Sequence, residues 1–125
     1  MLKDDYIMRM INEMIHAVLV LLLGKDSENG EKLELPEVTE DNTFQKLIAM
    51  AGEGQINEAE NMLWDLLEDN EIKYFQMALL FYDYLNDLDD DVLEQGDFSR
   101  EEIADGLARV MKLYGYEDMA RTFLI

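Results

Sequence analysis

Apolar residues recur at three- and four-residue spacing along most of the chain, and that period predicts helices. From about residue 4 to 23, Ile7, Met10, Ile11, Met14, Ile15, Val18, Leu21 and Leu22 form one stripe. Asp5, Arg9, Asn12, Glu13 and His16 face away from it. Asp5–Arg9 and Arg9–Glu13 stand at the i,i+4 spacing that supports an exposed helical face, and Gly24 supplies a stop. The next positions on the polar side are Val20 and Leu23, so the final turns become apolar all round. Such a surface has to be covered. The pattern therefore predicts a homodimer formed through this end of the helix, with folding-over by the last two helices as the rival.

Residues 25–41 are polar, contain the only proline, and read as a long connection. A helix over 42–52 buries Phe44, Leu47, Ile48 and either Met50 or Ala51. Another over 57–69 carries Ala59, Met62, Leu63, Leu66 and Leu67, with Asn57 and Glu60 as a capping-box variant at its start. In the segment 71–88, Lys73, Gln76, Asp83 and Asp87 share one narrow side, and apolar groups cover the rest. A helix apolar over half its circumference packs on two sides, so this one is central. An acidic connection, "DDDVLEQGD", follows. Ser99 and Glu102 then make a capping box for a helix with Ile103, Leu107, Val110, Met111 and Tyr114 inward, and "YEDMARTFLI" is a short last helix. Nothing alternates as a strand does. The expected fold is all-α, one domain over 1–125: a long N-terminal helix, then a core of antiparallel hairpins over 42–125, five to six helices in all.

Two of the hairpins look related. Gly54 precedes Ala59 by five residues, and Gly115 precedes Ala120 by five, each at a helix-to-helix turn. "GQINEA" resembles the "G-x-x-x-E-A" that opens the second helix of tetratricopeptide repeats, whereas "GYEDMA" keeps only the glycine and alanine. The 34-residue period of that family is missing, so the similarity is one of architecture. "DDYIMRMI", "INEAENMLWDLLE", "FYDYLN" and "FSREEIADGL" together resemble the signature blocks of a family of short Firmicute proteins defined by a domain of unknown function. The resemblance covers nearly the whole chain, least convincingly over 25–41. It implies an all-helical cytoplasmic protein of a Gram-positive-type bacterium and supplies no catalytic residues.

Composition narrows the function classes. Hydrophobic residues are 49 % of the 125, too many for a disordered chain, while 29 acidic against 10 basic residues give a net charge of −19. That field repels nucleic-acid backbones and anionic membrane surfaces. The basic residues are scattered and are expected to form no patch that offsets this field. The absence of cysteine removes disulfides, thiolate metal sites and thiol catalysis. "AVLVLLLG" (17–24) is far shorter than the roughly 20 residues a membrane span needs. It follows Asp4, Asp5 and Glu13 and precedes no cleavage site, which points to a soluble cytoplasmic protein.

Few residues offer chemistry. His16, the only imidazole, lies on the polar side of its helix and reads as solvated. Asp87, Asp89 and Asp91 occupy positions 1, 3 and 5 of an EF-hand loop, but Val92 replaces the turn glycine and Phe98 the bidentate glutamate. Trp64, Tyr74, Phe75, Phe81, Tyr82 and Tyr84 suit a core better than a ligand groove. Of the nine methionines, Met8, Met10 and Met14 group on the first helix. No phosphate loop, nucleophile elbow or zinc motif occurs. The reading assigns no catalytic, cofactor or metal residue. It names Met10, Met14, Val20, Leu23, Leu80 and Tyr84 as interaction residues of a helical protein-interaction or scaffold module with an unidentified protein partner. The alternative is a small-molecule binder or enzyme with an aromatic pocket around 71–88.

Overall fold

The computed structural model describes residues 2–24 and 35–124, and among them every regular element is an α-helix. In chain order these are α1 (Leu2–Leu23), α2 (Pro36–Thr39), α3 (Asn42–Gly52), α4 (Ile56–Leu67), α5 (Ile72–Asp87), α6 (Asp90–Gln95), α7 (Arg100–Leu113) and α8 (Glu117–Leu124). The eight helices exceed the expected five to six because both polar connections contain a short one. In α2, Pro36 opens the helix with its φ already fixed, and Val38 is buried. In α6, Leu93 turns into the core from an otherwise acidic segment. Residues 25–34 of the expected long connection lie outside the described residues.

The centre of the molecule is α5. Phe75, Met77, Ala78, Leu79, Phe81, Tyr82, Leu85 and Asn86 are all buried on it, and it meets α1, α2, α3, α4 and α7. One cluster of helices, α2 to α4, packs on α5; a second, α1 with α7 and α8, packs on it as well. Phe75 lies between two rings from the α7–α8 turn, 4.5 Å from Tyr114 and 5.4 Å from Tyr116 by centroids, stacked on both. These rings pin the α7–α8 hairpin to the start of α5.

The two hairpin turns share one geometry. Gly54 and Gly115 have φ of +92° and +89°, a region open to glycine. The following N–H groups reach back to helical carbonyls, Gln55 to Met50 at 2.9 Å and Tyr116 to Met111 at 2.7 Å. This closure satisfies carbonyls that the helix end would leave bare. Ala59 and Ala120 are both buried in the second helix of their pair.

Cap chemistry holds at two helix starts and fails at a third. Asp41 caps α3, its Oδ1 accepting from the Thr43 and Phe44 N–H groups. Ser99 caps α7, its Oγ accepting from the Glu102 N–H at 3.1 Å. Asn57, expected to cap, sits one residue inside α4, because Ile56 is pulled fully into the core. Its Nδ2 donates instead to the Gly96 carbonyl at 3.1 Å, tying the α3–α4 turn to the end of α6. Buried Arg100 fixes the other corner. It donates to the carbonyls of Asn86 at 2.6 Å and Leu88 at 2.9 Å, and to Asp90 Oδ1 at 2.9 Å.

Candidate functional site

On α1, the inward stripe is Ile11, Met14, Ile15, Val18 and Leu19. Met14 is therefore core, not surface. Leu21, expected in that stripe, is 59 % exposed, as is Tyr6. At about 100° per residue, Leu19 and Leu21 flank the stripe centre on opposite sides. The packing of α1 on α5, α7 and α8 covers the first and leaves the second outside. Met10, Ala17, Val20 and Leu23 are half-buried. Tyr6, Met10, Ala17 and Leu21 follow one another by four, seven and four residues, so a partly exposed apolar seam runs along α1 beside Asp5, Arg9, Glu13 and His16. The stretch Asp5–Leu23 is also long and apolar enough to cross a membrane by length and composition. This corrects the reading of 17–24 alone, because the methionines and isoleucines upstream extend the apolar run.

A groove of about 260 Å³ lies between α7 and α8. Ala104, Ala108 and Ala120 line it with small apolar groups, and Arg109, Lys112 and Arg121 bring three cations to it beside Asp105 and Glu117. The basic residues look scattered in sequence; the hairpin gathers three of the ten. Arg121 is engaged by Glu117 at 2.9 Å and Asp118 at 3.8 Å. Among the described residues, Arg109 and Lys112 meet no carboxylate within ion-pair distance. The sequence signal for this groove is weak but present. Ala104, Ala108, Arg109 and Lys112 share the side of α7 opposite Ile103, Leu107 and Val110.

Arg109 is held from below. Its guanidinium carbon lies 5.4 Å from the centroid of the Trp64 ring, within cation–π range. Trp64 Nε1 donates to the Tyr82 hydroxyl at 3.2 Å, and that hydroxyl donates to Glu60 Oε2 at 2.7 Å. Burial first, then the adjacent Glu60 charge, pushes the Tyr82 phenol far above its usual range, so it stays protonated. Gly106 faces this ring so closely that α4, α5 and α7 interlock around one hydroxyl. Glu60, expected in a cap, serves here instead.

The remaining expected residues fall as follows. Leu80 and Tyr84 are half-buried against the core, and the Tyr84 hydroxyl stands over Gly52 at the end of α3. Tyr84 thereby belongs to the α3 side of α5, away from the α1 seam. Phe75, Phe81 and Tyr82 are fully buried; Trp64 and Tyr74 are half-buried. His16 is exposed. The EF-hand-like run instead forms α6, and among the described residues no three His, Asp or Glu side chains converge to hold a metal ion. A second cleft, at the α6–α7 corner, is walled by Asp90, Glu94, Asp97, Glu101 and Glu102 around Ser99 and Arg100.

These features define a small all-α protein with a long N-terminal helix and antiparallel helix packing. The chain belongs to a family of unknown function, DUF6483, whose model matches residues 1–115. No curated protein and no solved structure matches it.

Proposed function

We propose that the chain is a small helical interaction or scaffold module of a Gram-positive-type bacterial cytoplasm that self-associates through α1. The observation that carries this reading is the exposed Leu21, in line with half-buried Ala17 and Met10, on a helix whose other side is core; half-buried Val20 and Leu23 lie further round its final turns. Fully burying a leucine contributes about 1.5–3 kcal/mol, so removing the exposed part of Leu21 from water contributes about 1–2 kcal/mol. Tyr6 offers a comparable area at the other end of the seam. A two-fold dimer makes every contact twice. Leu21 and Tyr6, each counted twice, contribute about 4–8 kcal/mol against an association cost of at least about 4 kcal/mol, which by themselves give about millimolar association. A dimer on the order of tens of micromolar needs about 2 kcal/mol more, from half-buried neighbours such as Met10 and Val20.

The matching turns at Gly54 and Gly115 support a tetratricopeptide-like stacking of hairpins, the kind of frame on which scaffolds are built. The net charge of −19 weighs against nucleic acid and against an anionic bilayer as the cover for α1. An aromatic ligand pocket around α5 is weakened as an alternative, because Phe75, Phe81 and Tyr82 are used in packing.

Sedimentation equilibrium on the wild type and on a Val20→Glu, Leu23→Lys double variant tests the reading. The wild type is expected to dimerise on the order of tens of micromolar, an ordinary working concentration that corresponds to about 6 kcal/mol, and the variant to be a folded monomer. A wild type that stays monomeric there defeats the proposal. So does a wild type that instead partitions onto zwitterionic vesicles.

A further inference from the structure

We propose that two copies of the chain pair through α1 in antiparallel register. Tyr6 of each copy lies against Leu21 of the other, and Met10 of each against Ala17 of the other. The arrangement rests on the self-association proposed above and specifies how the second copy sits on the helix.

The partly exposed seam reads the same in both directions. Tyr6, Met10, Ala17 and Leu21 are separated by four, seven and four residues, so reversing one helix lays the apolar positions on themselves. In a two-fold interface residue i meets j and j meets i, which here pairs 6 with 21 and 10 with 17. Size follows the same rule. Tyr6 and Leu21, each 59 % exposed, form the outer pair. The inner pair sets the long, flexible Met10 over the small Ala17, and both are half-buried already. A parallel pair would place each residue against its own copy instead. Ala17 would then face Ala17, and the lining of that gap would lose its packing partners. The antiparallel register fills the space twice.

The same register brings in the half-buried neighbours. Val20 comes level with residue 7 of the second copy, about one residue's rise from its Tyr6, and so widens the outer contact. Charge opposes a second copy only weakly here. Asp5, Arg9 and Glu13 are the only carboxylate or basic side chains over residues 5–23, one surplus negative charge of the chain's −19. The remaining repulsion between two acidic chains is long-range and screened by salt, whereas apolar contacts are not. The dimer should therefore tighten as sodium chloride is raised from about 0.05 to about 0.5 M. Glu13 of each copy comes level with Met14 of the other, close to the two-fold axis, so the two Glu13 side chains are the like-charge contact of the interface.

Dipolar spectroscopy on the full chain tests the register, with one nitroxide per copy at Asp5→Cys or at Glu13→Cys, both exposed positions. In the antiparallel pair Asp5 comes level with residue 22 of the second copy, so two Asp5 labels stand about 25 Å apart along the helix and two Glu13 labels within about 2 Å. The expected separation at Asp5 is longer than that at Glu13 by about 20 Å. Similar short separations at both positions overturn the antiparallel register and leave self-association standing. No intermolecular signal at either position overturns both. Sedimentation equilibrium gives a second readout whose sign depends on the register. Ala17→Leu crowds Met10 of the second copy and should weaken the antiparallel dimer roughly tenfold, with circular dichroism unchanged. Adding Met10→Ala should restore it. A parallel pair predicts the reverse, because leucine fills the gap at position 17 and Met10→Ala then opens one at position 10. Tightening by Ala17→Leu, or further loss on adding Met10→Ala, overturns the proposal.

Discussion

Gly106→Ala is the sharpest probe of the packing beneath the groove. In the interior of an ordinary helix this change stabilises by about 0.8–1 kcal/mol, because alanine is the better helix former. Here a Cβ would stand 2.5 Å from the Tyr82 hydroxyl oxygen, 2.7 Å from Cζ and 2.8 Å from Cε1. All three are far inside van der Waals contact. The ring has no easy retreat: it is fully buried, lies edge-on to Phe81 at 5.4 Å, and is tied to Glu60 and Trp64. Overpacking of this kind costs about 1–3 kcal/mol. Loosening the hydroxyl's bond to a carboxylate adds up to about 1.5–3 kcal/mol. After subtracting the propensity gain, the variant should be less stable by roughly 1–3 kcal/mol. Its Tm should fall by about 4–12 °C, at around 4 °C per kcal/mol for a domain of this size. Urea unfolding followed by Trp64 fluorescence and by far-UV circular dichroism measures the difference. Tyr82→Phe removes the closest of the three clashing atoms, so Gly106→Ala should cost less in that background. A Gly106→Ala protein as stable as wild type, or more stable, refutes the interlocked placement of α4, α5 and α7.

Other outcomes follow from the caps and corners. The Asp41 carboxyl is held below its usual pKa, chiefly by the hydrogen bond from the Lys73 ammonium at 2.8 Å, partly opposed by desolvation and helped by the Thr43 and Phe44 N–H groups. A depressed acid stabilises the fold above its unfolded pKa of about 3.9 and loses that contribution as pH falls through the folded value. Asp41→Ala should therefore cost about 1 kcal/mol near neutrality and much less at acid pH; urea titrations at both pH values check the difference. Arg100→Met should destabilise by about 1.5–3 kcal/mol through the carbonyls of Asn86 and Leu88 that lose a charged donor. Asp90 is 80 % exposed at its side chain and simply rehydrates, so Asp90→Asn should be nearly silent in the same denaturation assay.

What the sequence discloses about this fold depends on how local the cause is. The central position of α5 is legible because its polar side is narrow at every turn, and the Ser99 cap because donor and acceptor are three residues apart. Helices α2 and α6 are too short for a period to establish itself, and each buries a single side chain, Val38 in one and Leu93 in the other. Asn57 misleads because its partner, the Gly96 carbonyl, is 39 residues away. Leu19 and Leu21 lie at similar angles on opposite sides of the buried stripe, and tertiary packing alone decides which is buried. Arg109 and Lys112 are visible as neighbours on one side of α7, but Arg121 joins them only because the Gly115 turn folds α8 back. The apolar end of α1 is legible from sequence, though its most exposed residue is Leu21 rather than Val20 or Leu23.

Self-association through α1 is the claim on which the functional reading turns, and the cysteine-free chain allows a direct look at it. A nitroxide on Glu13→Cys, an exposed position on α1 beside the apolar seam, would be the only label in each copy. Pulsed dipolar spectroscopy then reads the distance between two copies. Contacting helices lie about 8–10 Å apart, so the account predicts a short, defined separation that disappears in the Val20→Glu, Leu23→Lys background. A label on exposed Asp65 of α4 should give a different distance in the same dimer. No intermolecular dipolar signal from position 13 on the order of tens of micromolar, the concentration at which the dimer is expected, or one unchanged by the double substitution, would contradict it.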